Sequence, residues 1–147
     1  MLTLTQHLPP DEDAVTHFTL SLTAEDRTRS RHRFTTEEGQ AVYVKLPRGT
    51  VLRDRDRLAT ETGEILVLVI AKPEPVLTVT GNSAIDLVRA AYHLGNRHVS
   101  LEITATYLRL EVDSVLKSML QQFGLTVIEE VAPFAPEIGA YGHHHGH

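Results

Sequence analysis

Cysteine and tryptophan are both missing from this chain, and aromatic residues make up only 5% of its 147 positions. Without thiols there can be no disulfide, no thiolate metal site and no cysteine nucleophile, and a cytoplasmic location fits that composition. The scarcity of aromatics leaves core packing to aliphatic side chains, for which a hydrophobic content of 41% suffices. Long apolar runs are missing too. The longest, Ile65 to Ala71, is the length of a strand, far short of the roughly 20 residues that span a bilayer, so no membrane partner is expected. The opening residues, Met1-Leu2-Thr3-Leu4-Thr5-Gln6, lack a basic segment followed by an apolar stretch, so no secretory signal is expected. There is no excess of positive charge: 14 Lys and Arg stand against 19 Asp and Glu, which argues against a nucleic-acid binder.

Histidine is plentiful, with nine in the chain, and four of them crowd the segment Gly142-His143-His144-His145-Gly146-His147. Imidazole is a borderline-soft ligand for nickel, copper or zinc. Divalent metal capture is therefore the leading idea. An affinity tag is usually an unbroken run of six or more histidines; this run is shorter, interrupted, and preceded by Pro133-Phe134-Ala135-Pro136-Glu137-Ile138-Gly139-Ala140-Tyr141.

Patterning divides the chain in two. Residues 1–72 carry strand signals only: Thr16 to Leu22, Arg27 to Phe34, Ala41 to Leu46 and Ile65 to Ile70, with turns at Glu38-Gly39, Pro47-Arg48-Gly49 and Thr62-Gly63-Glu64. They read as a small all-β domain. Pro73-Glu74-Pro75 reads as a short stiff linker. Residues 76–133 then alternate element types, with strands at Val76 to Thr80, Val99 to Thr104, Tyr107 to Val112 and Leu125 to Ile128. A helix capped by Asn82 or Ser83 carries Ile85, Val88, Ala91 and Tyr92 at spacings of three and four, and Gly95-Asn96 supplies its left-handed stop. A second helix is capped by Asp113, with Val115, Leu116, Met119, Leu120 and Phe123 inward, and is ended by Gly124. The order βαββαβ is the ferredoxin-like arrangement, giving an α+β protein overall. Residues 134–147 lack periodicity and are expected to form a flexible, histidine-bearing tail.

His98 lies just past the first helix, where its ring can be exposed. On spacing alone a surface role is the commoner explanation, and His93, on the last helical turn, is explained by the helix dipole. His7, His17 and His32 are scattered over the β half and read as structural. Arg27, Arg29, Arg31 and Arg33 recur with period two, so they are expected on one strand face, either solvated or docking an acidic partner. The lack of aromatic interleaving speaks against nucleic acid there.

Several blocks resemble the UreE family of urease accessory proteins: Gly95-Asn96-Arg97-His98-Val99-Ser100-Leu101-Glu102-Ile103, Leu108-Arg109, Asp113-Ser114-Val115-Leu116, Phe123-Gly124-Leu125, and the Pro133 to Tyr141 segment followed by histidines. Arg29-Ser30-Arg31 and Leu46 to Asp54 agree in the β half. The resemblance implies a nickel metallochaperone and a homodimer, with His98 of both subunits binding one Ni(II) near the two-fold axis and the tail residues His143, His144, His145 and His147 completing or supplementing that site. It implies delivery to the urease apoprotein complex through the GTPase UreG, with an N-terminal domain of the family's peptide-binding type. Histidines that some relatives carry in the stretch matching Glu111 to Ser114 are absent, so a secondary site is not expected there, and the short tail favours delivery over storage. Zn(II) and Cu(II) are expected to bind the same imidazoles, since ligand type does not select nickel. Two other classes compete. A zinc hydrolase needs a rigid three-ligand set beside a general base, which no cluster here supplies. A passive histidine-based buffer for Ni, Cu or Zn needs no receiving partner.

Overall fold

A computed structural model of the chain describes residues 1–138. It contains two compact units, one built on Met1–Lys72 and one on Pro73–Glu137. The histidines at 143, 144, 145 and 147 lie outside the described residues.

The first unit is all strand apart from one 3-10 turn. In one sheet, β1 (Leu2–Leu4) runs parallel to β5 (Ala41–Lys45), which pairs antiparallel with β4 (Arg31–Thr35). In the other, β2 (Gln6–Leu8), β6 (Arg57–Ala59), β7 (Leu66–Ala71) and β3 (Phe18–Leu22) lie in that order. Side chains of a strand alternate between faces, so Val42 and Val44, Leu20 and Leu22, and Val67 and Val69 enter one buried cluster. On β7 the intervening Leu66, Leu68 and Ile70 are half-buried as well, which accounts for its unbroken apolar run. The strands β1, β2 and β6 are three residues each, too short to declare themselves by alternation.

The expected row of four arginines does not form. Thr23 Oγ1 accepts from the Asp26 amide and helps set the 3-10 turn Asp26–Thr28, which carries Arg27 inward, where its Nε donates to the Leu22 carbonyl at 3.3 Å. Arg29 follows that turn and lies 3.6 Å from both Glu25 and Asp26. Only Arg31 and Arg33 share an exposed strand face.

The second unit follows the order β8 (Glu74–Thr80), α1 (Ala84–Asn96), β9 (Glu102–Ile103), β10 (Leu108–Glu111), α2 (Ser114–Gln122) and β11 (Thr126–Ala132). Its sheet has the order β11-β8-β10-β9 with every pair antiparallel. Leu77 and Val79, Leu108 and Leu110 face a core completed by Leu87, Ala90 and Leu94 of α1 and Leu120 of α2. Glu74 and Pro75, expected in the linker, begin β8. Pro75 is opposite Val131 of β11, whereas the pairing with β10 stops at Val76, so the ring sits where no donor is required on that side.

Three further expectations change. On α1 the buried row is Leu87, Ala90 and Leu94; of the residues expected there, Ala91 packs against the core, while Ile85, Val88 and Tyr92 are 51%, 61% and 66% exposed. On α2, Leu120 is buried and Leu116 and Met119 pack against the core, but Val115 and Phe123 face outward. The tail does not begin at residue 134: Phe134 is fully buried, the Ala135 amide donates to Glu102 Oε1 at 2.9 Å, and the Glu137 amide donates to the Leu101 carbonyl at 2.8 Å. Among the described residues no helix is long and apolar enough to cross a membrane.

Candidate metal centre

The way α1 ends decides how His98 is presented. Leu94 is buried and the chain must reverse into β9, so the last carbonyls need partners. The His98 amide donates to the Gly95 carbonyl at 3.0 Å and the Val99 amide to the Leu94 carbonyl at 3.2 Å. Leu94 and Val99 then pack in the same cluster. This is a Schellman motif, whose pivot must adopt the left-handed conformation. The pivot is His98, at φ 57°, and not the expected Gly95-Asn96, which are still helical. The end of α2 gives an internal comparison. The same pair of bonds, Gly124 to Gln121 at 3.0 Å and Leu125 to Leu120 at 3.1 Å, closes around Gly124 at φ 83°. Glycine occupies such a position without a Cβ penalty; histidine occupies it at a cost. In return the imidazole is carried by a rigid helix end and faces solvent.

His93, one turn earlier, has its ring between Tyr92 and Phe123, with centroids 5.4 and 5.0 Å away. It joins the two helices rather than pointing outward with His98. The histidines of the first unit have structural partners. His7 Nε2 lies 2.7 Å from Asp56 Oδ2, His17 Nδ1 accepts from the Leu66 amide at 3.0 Å, and the His32 ring rests on Phe34. Among the described residues no group of three or more His, Asp or Glu converges on a point that could hold a metal ion.

The face of the sheet away from the helices holds a network not expected from the sequence. Arg109 projects there because its neighbours Leu108 and Leu110 point into the core. Its Nε donates to Thr78 Oγ1 at 3.0 Å and its Nη1 to the Pro133 carbonyl at 3.3 Å, while Glu102 and Glu130 lie 3.9 and 3.7 Å away. The guanidinium also lies over the Tyr107 ring, 4.5 Å from its centroid. The Tyr107 hydroxyl donates to Glu102 Oε2 at 3.1 Å, and burial followed by that carboxylate holds the phenol above its ordinary pKa, so it stays a donor. The readable signal was a charged residue alternating between two leucines.

Fold and site together define a two-domain α+β protein with an exposed imidazole in the left-handed position at the end of a helix. Comparison with known proteins narrows this. Residues 3–71 match the N-terminal domain of the UreE urease accessory protein and residues 74–147 match its C-terminal domain. The chain is 62% identical to the urease accessory protein UreE of Nostoc punctiforme, with both sequences covered in full, and 58% identical to that of Nostoc sp., again over both full lengths. It is 54% identical to the UreE of Thermosynechococcus vestitus over 98% of this chain and all of the relative. The chain belongs to the UreE family of urease accessory proteins. Its place is in urease maturation, as an accessory protein of the chaperone type and not an enzyme.

Proposed function

We propose that this protein is a cytoplasmic nickel metallochaperone that works as a homodimer, binding Ni(II) through His98 of both subunits. The observation that carries the reading is His98 itself, an exposed imidazole in a left-handed position that glycine fills at the end of the neighbouring helix. Strain of this kind, on the order of 1–2 kcal/mol, persists where the side chain is needed. The strand order β11-β8-β10-β9 with two helices supports a ferredoxin-like second domain. The exposed row Ile85, Val88 and Tyr92 supports the dimer, because a helix apolar on two faces requires a second surface to cover it. That row runs along α1 to within about two turns of His98, so a two-fold contact through it brings both imidazoles toward one axis.

Two imidazoles on an axis hold an ion while leaving coordination positions for water or for the tail histidines His143, His144, His145 and His147. A closed four-ligand site would retain the ion too long for a carrier. Cu(II) and Zn(II) compete for the same donors, so selection of nickel falls to supply and to the receiving partner, which we take to be the GTPase UreG with the urease apoprotein. Nickel binding is lost in acid, since a protonated ring has no lone pair to donate. The test is nickel calorimetry with X-ray absorption on the natural protein and on His98→Ala. Loss of the tight site, together with loss of imidazole scattering from the tight complex, is the expected result. Undiminished tight binding in His98→Ala would remove His98 from the site.

A further inference from the structure

The three-stranded sheet of the first unit ends on β4, and the register shows what that edge offers. The Leu46 amide donates to the Ser30 carbonyl at 2.8 Å and the Thr36 amide to the Gln40 carbonyl at 2.9 Å, so the even-numbered residues of β4 bond to β5. The amides and carbonyls of Arg31, Arg33 and Thr35 therefore point away from the sheet, and among the described residues none has a backbone partner. The other edges of the unit differ. Two of them, β1 and β2, are three residues each. On β3 the Thr19 amide donates to Glu38 Oε1 at 2.9 Å, and the Thr19 carbonyl accepts from the Glu37 amide at 2.8 Å. An acidic segment thus already closes one edge of this unit, whereas β4 is left open over five residues, about 17 Å.

The side chains along that edge are cationic on one face. Arg31 and Arg33 are exposed, and the residue opposite Arg31 on β5 is Lys45, exposed too. This pair is of the kind without hydrogen bonds, with Cα atoms about 4.5 Å apart, so two like charges meet where cross-strand contact is tightest. Arg29 is held by Glu25 and Asp26, but among the described residues no carboxylate forms an ion pair with Arg31, Arg33 or Lys45. In a chain of net charge −5 this strip runs against the average. The opposite face of β4 carries His32 and Phe34, half-buried, with ring centroids 4.7 Å apart.

The two faces define the occupant. A strand added to β4 sets alternate side chains beside Arg31 and Arg33, and the others beside His32 and Phe34. Carboxylates in the first set neutralise the cations, and apolar residues in the second extend the cover of Phe34. A second copy of β4, paired symmetrically about Arg33, would set arginine against arginine. We propose that β4 is a docking edge, where an extended segment of another protein, acidic and apolar at alternating positions, adds as a further strand and lays its carboxylates against Arg31, Arg33 and Lys45. Neither His98 nor nickel takes part in it.

The experiment uses the full chain and a labelled peptide of about nine residues in which glutamate and valine alternate, with a lysine–valine peptide as control. Fluorescence anisotropy gives affinity, and hydrogen exchange followed by NMR locates the bound strand. The glutamate peptide is expected to protect the amides of Arg31, Arg33 and Thr35, and the lysine peptide to bind at least about tenfold more weakly. Thr35→Pro removes one outward amide, a change an edge strand tolerates, and leaves every charge in place. It is expected to weaken the glutamate peptide by about three- to tenfold. Arg33→Glu keeps all the amides and reverses one charge, and a loss of about tenfold is expected, with the lysine peptide gaining. Should proline prove incompatible with the fold, the exchange pattern and Arg33→Glu still decide. No binding of the glutamate peptide at about 1 mM overturns the docking edge. Binding that leaves the three amides exchanging freely overturns it too, as does an Arg33→Glu protein that binds as tightly as the parent. Protection of those amides in the free protein that fades on dilution would assign the edge to a second copy instead.

Discussion

His98 and Gly124 occupy the same position of the same helix-ending motif, and the contrast between them gives a direct stability prediction. In the left-handed region an L residue costs on the order of 1–2 kcal/mol, partly offset by the greater flexibility of an unfolded glycine. His98→Gly should therefore raise the stability of the metal-free protein by about 0.5–1 kcal/mol, or roughly 2–4 °C in Tm, while abolishing tight nickel binding. His98→Ala should lose the metal without the gain, since alanine retains the Cβ. Thermal unfolding of the two metal-free variants side by side checks this; a His98→Gly protein that is destabilised would mean that the imidazole makes a contact the fold depends on. Residue by residue, position past a helix predicted only that the His98 ring is exposed, its metal role coming from the family resemblance, while Asp113 was legible as a cap, and it accepts from the Leu116 amide at 2.9 Å. The sequence reading misplaced the left-handed stop because glycine and asparagine, its usual occupants, stand three and two residues before the true pivot. Arg109 was passed over for a related reason: alternation tells that its side chain leaves the core, but not that a segment two dozen residues later returns to meet it.

At the scale of elements, α1 carries two apolar rows, Leu87-Ala90-Leu94 and Ile85-Val88-Tyr92, each at helical spacing. Periodicity announces an amphipathic helix but does not say which of two rows is inward. The sequence reading chose the row with the β-branched and aromatic residues; the structure buries the other and leaves that one at the surface. The same ambiguity affected α2, where Val115 and Phe123 are exposed. If the outer row of α1 is the dimer contact, each valine contributes about 1.5 kcal/mol on burial and occurs twice across a two-fold interface. Val88→Glu also introduces a carboxylate on each side, so association should weaken by about two orders of magnitude or more. Sedimentation over a range of protein concentrations reads this out. A Val88→Glu protein that associates as tightly as the parent would place the interface elsewhere.

For the molecule as a whole, the division into an all-β half and a mixed α+β half was legible, because the apolar period changes from two to about 3.6 after Lys72. Strands longer than three residues were found, while β1, β2 and β6, at three residues each, offered no alternation to read. The extent of the tail was misjudged because its anchoring is made of backbone amides and one buried phenylalanine, which leave no periodic trace. Family membership reaches the same two halves from sequence similarity. What distinguishes a carrier with a shared ion from two independent binders is whether one imidazole from each chain is required. Mixed dimers answer this most directly. Natural protein and His98→Ala, carrying tags of different mass, are co-refolded, and nickel occupancy of each species is read by native mass spectrometry. The homodimer of natural chains should hold one tightly bound nickel ion, and the mixed dimer should lose that tight ion as fully as the homodimer of variants. A mixed dimer that keeps a tightly bound ion on its single His98 would contradict a site built from two subunits.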